Sequence, residues 1–481
     1  MLSHFDKLKT PLKSVFEYPS LEAQRRRFSH LGWARVEVDS LWQVWTNDKW
    51  ISATKRRELD EIEPFDEWEE FALFAGHYCV VIAKNTAIMT SEQADDTAVP
   101  DQSPQRQYPG LSWSAYPGLD GKRRFGAVLK LHDDLGGGVF ANTFGIGTNN
   151  RLRSCDFYTT SVLPSKFKTP TSGPGSRVCH AIVDLGHWGS LLVGGRASPT
   201  TALRDCWHFS IERNRWSPAD DLPVPLYRHA LTRLGRSSMV LLVGGKSDAS
   251  TIFDGCLLYR GSSGWTKCGI SGSMYQPVFG AMLVSFSEAD FGSDLGDGQE
   301  GDGVEDRDTV VFRGILAGGL LRDGTVARCP SRWELKVPEN GEPTINFEPI
   351  SASGDIKDLI CRFASYALPI EDTRLAILGG IKHDGIVPQD EELLVIDVSY
   401  SSLELVARCP LVESNGLSKR SRPLLVGTSV SLNDAGQIVT MGGGATVSHP
   451  SRNILFYVSK ALDTMYRWLR VFFVINVDDG Y

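Results

Sequence analysis

Four arginines stand near the start of repeated apolar segments of this 481-residue chain: Arg124, Arg177, Arg228 and Arg362. A ring of guanidinium groups around one mouth of a closed β-structure would hold a carboxylate or a phosphate through paired N–H donors. The competing reading makes the same arginines structural pins between repeats. A second basic group, Lys55-Arg56-Arg57, interleaves with Trp42, Trp45, Lys49 and Trp50, and single-stranded nucleic acid stacks on aromatics flanked by cations in this way. The same tryptophans also suit packing on a sheet. The basic triplets Arg25-Arg26-Arg27 and Lys55-Arg56-Arg57 also suit solvated helix faces.

Other chemistry is weaker. Glu61, Glu63, Asp66, Glu67, Glu69 and Glu70 crowd one short helix, an arrangement that the helix macrodipole explains without acid–base catalysis. The runs GGGVF (136–140) and GGGAT (442–446) do not lead into a helix with a suitably spaced lysine or serine, and read as turns rather than phosphate loops. His180, His208 and His229, with Tyr227 and Tyr259 nearby, invite comparison with copper-radical oxidases built on β-repeats. His180 (RVCHA) and His229 (YRHAL) occupy equivalent places in successive repeats, which favours a structural role, and no metal is expected.

Composition bounds the alternatives. With 42% hydrophobic and 22% charged residues, the chain is neither disordered nor fibrous. The net charge of -8 is local: Glu288 to Asp308 carries nine acids and one arginine, and the remainder sums to zero. No global field therefore favours a polyanionic partner, and a nucleic-acid surface would have to be a local patch. Nine singly scattered cysteines without a CxxC pair fit a reducing compartment. The N-terminus lacks an apolar signal-peptide core and no stretch reaches a membrane span. The expectation is a cytoplasmic chain with no membrane partner.

The elements that would position these residues fall into two regions. Residues 1–85 are rich in charge and aromatics and read as helical, with a helix over 21–31, a second opening near Pro64, and a strand at 79–83. They hold no sheet large enough to bury those helices. Residues 86–118 read as a polar linker.

From residue 119 to 462 a short apolar strand closing on a glycine pair recurs: LLVGG at 191–195 and 241–245, GILAGG at 314–319, LAILGG at 375–380 and VTMGGG at 439–444, with NTFGIG at 142–147 as a degenerate copy. Repetition of this period signals a kelch-type β-propeller of six blades, or seven. The pairs are glycine because neighbouring backbones approach where no Cβ fits. Trp216, Trp265 and Trp333 are placed to pack between blades. Residues 288–308 read as a disordered insertion in the fourth blade. The tail, 463–481, either completes a strand or reflects how the coding sequence was assembled. The fold class is thus mainly β, a propeller preceded by an incomplete unit of helices and one strand.

The stretches HFDKLKTPLKSVFEYPSLEAQRRRFSHLGW and EIEPFDEWEEFALFAGHYCVVIAKN resemble the leucine carboxyl methyltransferase family. Followed by a propeller, they are similar in particular to its tRNA wybutosine-synthesizing branch. The resemblance covers about residues 1–85 by motif and 120–460 by architecture. It implies that residues 1–85 are the C-terminal part of an α/β class I methyltransferase domain using S-adenosylmethionine. It also implies carboxyl methylation and methoxycarbonylation of the wybutosine precursor in the anticodon arm of phenylalanine tRNA.

The chain departs from that pattern, because the family's donor loop and its acidic and arginine partners lie upstream of the segment where this chain starts. Residues 1–85 contain no GxG. The donor site is therefore expected to be absent, the start to be a truncation and the chain to be inactive alone; cofactor-binding and catalytic residues are not assigned. The iron-binding JmjC domain of some members would need an HxD after the last blade, whereas His132-Asp133-Asp134 falls near the first. The expected site residues are Arg124, Arg177, Arg228 and Arg362 facing substrate, and Lys55, Arg56 and Arg57 facing tRNA. The alternative is a non-catalytic module that binds protein partners through the propeller.

Overall fold

The computed structural model describes residues 9, 14–62, 68–84, 111–113, 123–132, 138–147, 150–159, 170, 172–272, 275–286, 309–350, 354–371, 373–398, 402–409, 411–413, 425–432, 438–443, 454–461 and 468–475. The acidic insertion and most of the expected linker lie outside the described residues. Within that linker, strand Leu111–Trp113 pairs in parallel with Leu411–Glu413.

The described part of the N-terminal region is a helical layer around one two-stranded sheet. Helix α1 (Leu21–His30) starts at Ser20, whose hydroxyl accepts the Ala23 N–H at 3.1 Å. Strand β1 (Arg35–Ser40) pairs antiparallel with β2 (Cys79–Lys84). Between them run α2 (Leu41–Thr46), opened by a Ser40/Gln43 capping box, then α3 (Ala53–Ile62) and α4 (Trp68–Ala75). The residues around Pro64 lie outside the described set. Among the described residues no separate core forms within this region. Trp42, Trp68, Ala72, Leu73 and Ala75 are buried instead among Phe279, Met282, Phe363 and Ile381 of the β-domain.

The β-domain is a propeller. Six inner strands, Ala127–His132, Ala181–Asp184, Ala230–Arg233, Met282–Phe286, Tyr366–Glu371 and Ser429–Leu432, each begin an antiparallel sheet. Among the described residues the first blade has three strands, the second, third and fifth have four, and the fourth has five because Gly269–Ser271 adds in parallel to Thr344–Pro349. The sixth begins with Ser429–Leu432 paired to Ile438–Met441; Ile454–Ala461 follows beside them and pairs with Trp468–Ile475 from the tail. Second strands such as Ser190–Val193 and Val240–Val243 are buried at every position. Their continuous apolar runs reflect blades stacked on both faces.

One hydrogen bond repeats at every blade boundary and closes the ring. The N–H of Gly145, Gly195, Gly245, Gly319, Gly380 and Gly443 donates to the carbonyl of Arg177, Leu226, Val278, Arg362, Leu425 and Arg123 respectively, at 2.8 to 3.2 Å. The last joins the sixth blade to the first, so no inner edge is left open. A Cβ on Gly194 would lie 2.3 Å from the Leu226 carbonyl oxygen, and one on Gly195 2.8 Å from the His180 Cβ. The glycine pair is therefore required sterically. In the first blade the pair is Phe144-Gly145, with Phe144 itself at φ 50°.

Trp216 is buried on the outer strand of the second blade and faces Phe144 of the first, with centroids 6.2 Å apart. Trp265, on the outer strand of the third, donates its indole N–H to the Asp220 carbonyl of the second at 3.1 Å. Trp333 does not share their place, because it lies on the third strand of its blade and covers Gly314.

Candidate functional site at the propeller axis

Just before each inner strand one residue takes a left-handed backbone: Phe125, Cys179, Arg228, Gly280, Ala364 and Gly427, with φ between 53° and 65°. Their peptides bond to one another around the axis. Cys179 N–H donates to Phe125 O (3.1 Å), Arg228 to Cys179 (3.0 Å), Gly280 to Arg228 (2.7 Å), Ala364 to Gly280 (2.9 Å) and Phe125 to Gly427 (2.9 Å). Four of the six residues carry a Cβ in a region that favours glycine, and such strain concentrates where a function needs it. A cavity of ≈ 360 Å³ lies at this ring, lined in part by Glu69, His180, Arg228, His229 and Tyr366.

The four arginines of the repeats do not share one environment. Arg177 lies two residues before the ring position. It bonds bidentately to Asp205 (3.0 and 2.6 Å) and donates to the Gly194 carbonyl (2.9 Å). Burial pushes the Asp205 carboxyl up, but hydrogen bonds and charge from Arg177 outweigh it and the pKa is lowered. Arg362, fully buried, donates to the carbonyls of Leu359, Gly379 and Glu391 at 2.6 to 2.9 Å. Burial lowers its pKa to about 10 against the opposing charges of Glu391 and Glu392.

The first-blade counterpart of these two is Arg123. It pairs with Asp156 at 2.8 Å and donates to the carbonyls of Phe144 and Ser154. Arg124 is also buried, and its backbone bridges to Ile146. Arg123, Arg177 and Arg362 each tie the start of their blade to the first residue of its glycine pair or of the equivalent Phe-Gly.

Arg228 is offset by two residues and sits in the ring itself. Its guanidinium is bidentate to Glu69 of α4: Nη2 donates to Oε2 at 2.6 Å, and Nη1 donates to Oε1. The rings of Phe125 and Phe363 lie 5.8 and 5.4 Å from it. Glu69 was legible only as one acid among six. The signal that separates it is register, because it precedes the buried Ala72 by three residues and so lies on the apolar stripe of its helix.

His180 and His229 follow the ring position in adjacent blades, where the fourth to sixth blades have Ala281, Ser365 and Thr428. His180 Nε2 lies 3.2 Å from the Thr143 hydroxyl, and its ring meets Phe144 edge-on. Neither ring nitrogen of His229 has a hydrogen-bond partner among the described residues. Burial lowers the His229 pKa to about 4, and burial, then the charges of Arg177, His229 and Arg123, lower that of His180. His208 lies apart, against the Trp188 carbonyl, and the Tyr227 hydroxyl donates to the Asp248 carbonyl. Among the described residues no three His, Cys, Asp or Glu converge as metal ligands. His132 ends the first inner strand, and Asp133 and Asp134 lie outside the described residues.

The basic triplet divides. Arg56 is buried and reaches the Trp45 and Ile51 carbonyls, Asp48 at 2.7 Å and Asp323 of the fourth blade at 3.6 Å. Lys55 and Arg57 are exposed; Lys55 pairs with Glu58, and Arg57 lines a cleft of ≈ 550 Å³ with Arg322. The tryptophans turn inward: Trp42 donates to the carbonyls of Lys382 and His383 (both 3.2 Å), Trp45 meets Trp68 and Phe71, and Trp50 donates to Asp39 at 2.9 Å.

A closed ring of six blades with a helical segment packed on its fourth and fifth blades defines a β-propeller protein with an N-terminal docking layer. A family model described as "tRNA wybutosine-synthesizing protein 4, beta-propeller" matches residues 174–447, more than half of the chain, and the chain belongs to that family.

Relatives with the printed name "tRNA wybutosine-synthesizing protein 4" align along nearly all of it. The one from Neurospora crassa is 36% identical over 93% of this chain and 39% of its own length. The one from Gibberella zeae is 35% identical over 93% and 41%, and that from Saccharomyces cerevisiae 27% identical over 93% and 59%. The chain thus spans about two fifths to three fifths of these relatives. A solved structure titled "Structure of YjhT" aligns with 57% of this chain and 82% of its own at 12% identity and a TM-score of 0.37, too slight a likeness to inform the site.

Proposed function

We propose that this chain forms the propeller and the adjoining end of the methyltransferase domain of a tRNA wybutosine-synthesizing enzyme, acting in the cytoplasm. The reaction is carboxyl methylation, then methoxycarbonylation, of the wybutosine precursor in the anticodon arm of phenylalanine tRNA. The observation that carries this is the alignment of 93% of the chain, helical segment and propeller together, with proteins of that name. The kelch-type repeat read from the glycine pairs belongs to the same proposal.

S-adenosylmethionine is the methyl donor that the resemblance implies, and the residues present do not fit it. A donor site needs a glycine-rich turn opening a helix. The segment up to residue 85 has two glycines. Gly32 closes α1 at φ 87°, and Gly76 follows α4 with the Ala72 carbonyl 3.0 Å from a Cβ built there. No chemical step is therefore assigned to the chain's own residues, whose contribution is to shape and orient.

The exposed side of the basic triplet, Lys55 and Arg57, is the proposed tRNA contact. Arg228 is the member of the arginine set that lies at the axis. The test replaces the matching segment of the Neurospora crassa relative with this chain, in cells lacking that relative. Mass spectrometry of phenylalanine-tRNA nucleosides should then show wybutosine. Accumulated precursor from a folded hybrid would support a non-catalytic propeller that binds protein partners instead.

A further inference from the structure

The Glu69–Arg228 pair joins residues 159 positions apart, and among the described residues Glu69 is where the helical layer reaches the cavity at the propeller axis. Both side chains are nearly sealed, at 2% and 6% exposure. We propose that this pair is a positioning contact, setting the angle at which the N-terminal segment meets the propeller and so the placement of the methyl-transfer site; this rests on the function proposed above.

Hydrophobic burial holds α4 down but does not aim it, because that force is non-directional. Trp68 covers Gly324, where a Cβ would come within 2.3 Å of the indole, and Ala72 and Ala75 are fully buried. These contacts set the distance of the helix from the fourth and fifth blades. A bidentate carboxylate–guanidinium pair adds direction, since both N–H···O bonds form only over a narrow range of angles.

The ring provides the socket. Gly280, Ala364 and Gly427 keep it small-sided on the fourth to sixth blades, and Phe125 and Phe363 flank the guanidinium. Arg228 is the charged residue among the six ring positions, and its own peptide is bonded on both sides, to Cys179 and Gly280. Its base is therefore fixed. A buried ion pair adds little net stability over an apolar pair of the same volume, yet removing one partner is severe. Its use here is geometric.

The experiment uses the hybrid protein described above, with Glu69→Gln, Arg228→Lys and the apolar double variant Glu69→Leu/Arg228→Met. Amide hydrogen exchange reads α4 and β2 against the Val240–Val243 strand, and tRNA turnover is split into kcat and KM. In the single variants, amides of α4 should exchange on the order of a hundredfold faster while Val240–Val243 keeps its protection. The kcat should fall about 10- to 100-fold with KM little changed.

The double variant should regain protection of α4 and still turn over slowly, because burial returns without direction. Full recovery of both would show a merely structural contact and overturn the proposal, as would unchanged exchange and turnover in Glu69→Gln. Absence of wybutosine from the unaltered hybrid would overturn the tRNA reading and the catalytic half of the proposal with it. The docking half would then stand or fall on exchange alone.

Discussion

The propeller and the helical layer before it hold themselves together in opposite ways. Each blade of the propeller repeats the same inter-blade hydrogen bond, and the ring closes on its own residues. Among the described residues the helical layer has one two-stranded sheet, and two of its tryptophans, Trp42 and Trp68, are buried against another region. A closed ring shares its stability among equivalent boundaries, whereas a docked layer depends on a few anchors. Damage to a pin inside a blade should therefore spread through the ring, and damage to an anchor should stay local.

The largest effect should come from Arg362→Ala. It removes three hydrogen bonds, to the Leu359, Gly379 and Glu391 carbonyls, made by a guanidinium that is itself fully buried. A loss of about 3–5 kcal/mol is expected, seen as a lower midpoint of the whole propeller in near-ultraviolet circular dichroism melts. A change confined to the fifth blade would break the picture of shared boundaries.

Trp68→Ala should cost a similar or smaller amount, on the order of 3 kcal/mol, but in the docking layer alone. Proteolysis should then cut between α4 and the propeller while the strand Leu393–Val398 remains protected. If the ring melts with it, the layer is an integral part of the propeller core and the contrast fails.

Acid should separate the regions again. His229 has its pKa lowered from 6.5 to about 4 by burial, so the unfolded chain takes up the proton first as pH falls. The stability that neutral His229 represents is complete above pH 6.5 and is lost as pH drops from there through about 4. That gap corresponds to roughly 3 kcal/mol. Urea midpoints at pH 7 and pH 5 should differ most for the propeller, and His229→Ala, which copies Ala281 of the fourth blade, should flatten the difference. An equally steep profile in that variant would point to other groups.

These contrasts also explain what could be read beforehand. The glycine pairs were legible because close backbone approach leaves a mark in composition, and they located the blade boundaries. Phe144-Gly145 blurred that mark, since a phenylalanine holds a left-handed turn there. The arginine register was not legible for the same reason. Phe125, Cys179, Arg228 and Ala364 take the ring conformation without being glycine, so nothing in their types separates Arg123 from Arg124 or sets Arg228 apart from Arg177. Residues 1–85 read as holding no sheet large enough to bury their helices, and Trp42 and Trp68 are buried against the β-domain. What covers them is the propeller, a long-range contact that no local pattern encodes.

The smallest effects on stability should fall on the exposed part of the basic triplet, and they sharpen the comparison at the junction itself. Arg56 binds both sides of it, Asp48 in the layer and Asp323 in the fourth blade, whereas Lys55 and Arg57 face solvent. Lys55→Ala and Arg57→Ala should leave the unfolding free energy within about 0.5 kcal/mol of the parent. Arg56→Ala should loosen the layer as Trp68→Ala does, though less. Binding of phenylalanine tRNA to the hybrid, followed across salt concentrations, should show the reverse ranking. Each exposed cation that meets a phosphate adds about one to the slope of log affinity against log salt, so its removal should flatten that slope. Unchanged slopes for both exposed variants would place the tRNA on another surface, and a flattened slope for Arg56→Ala alone would mean that the junction opens before tRNA binds.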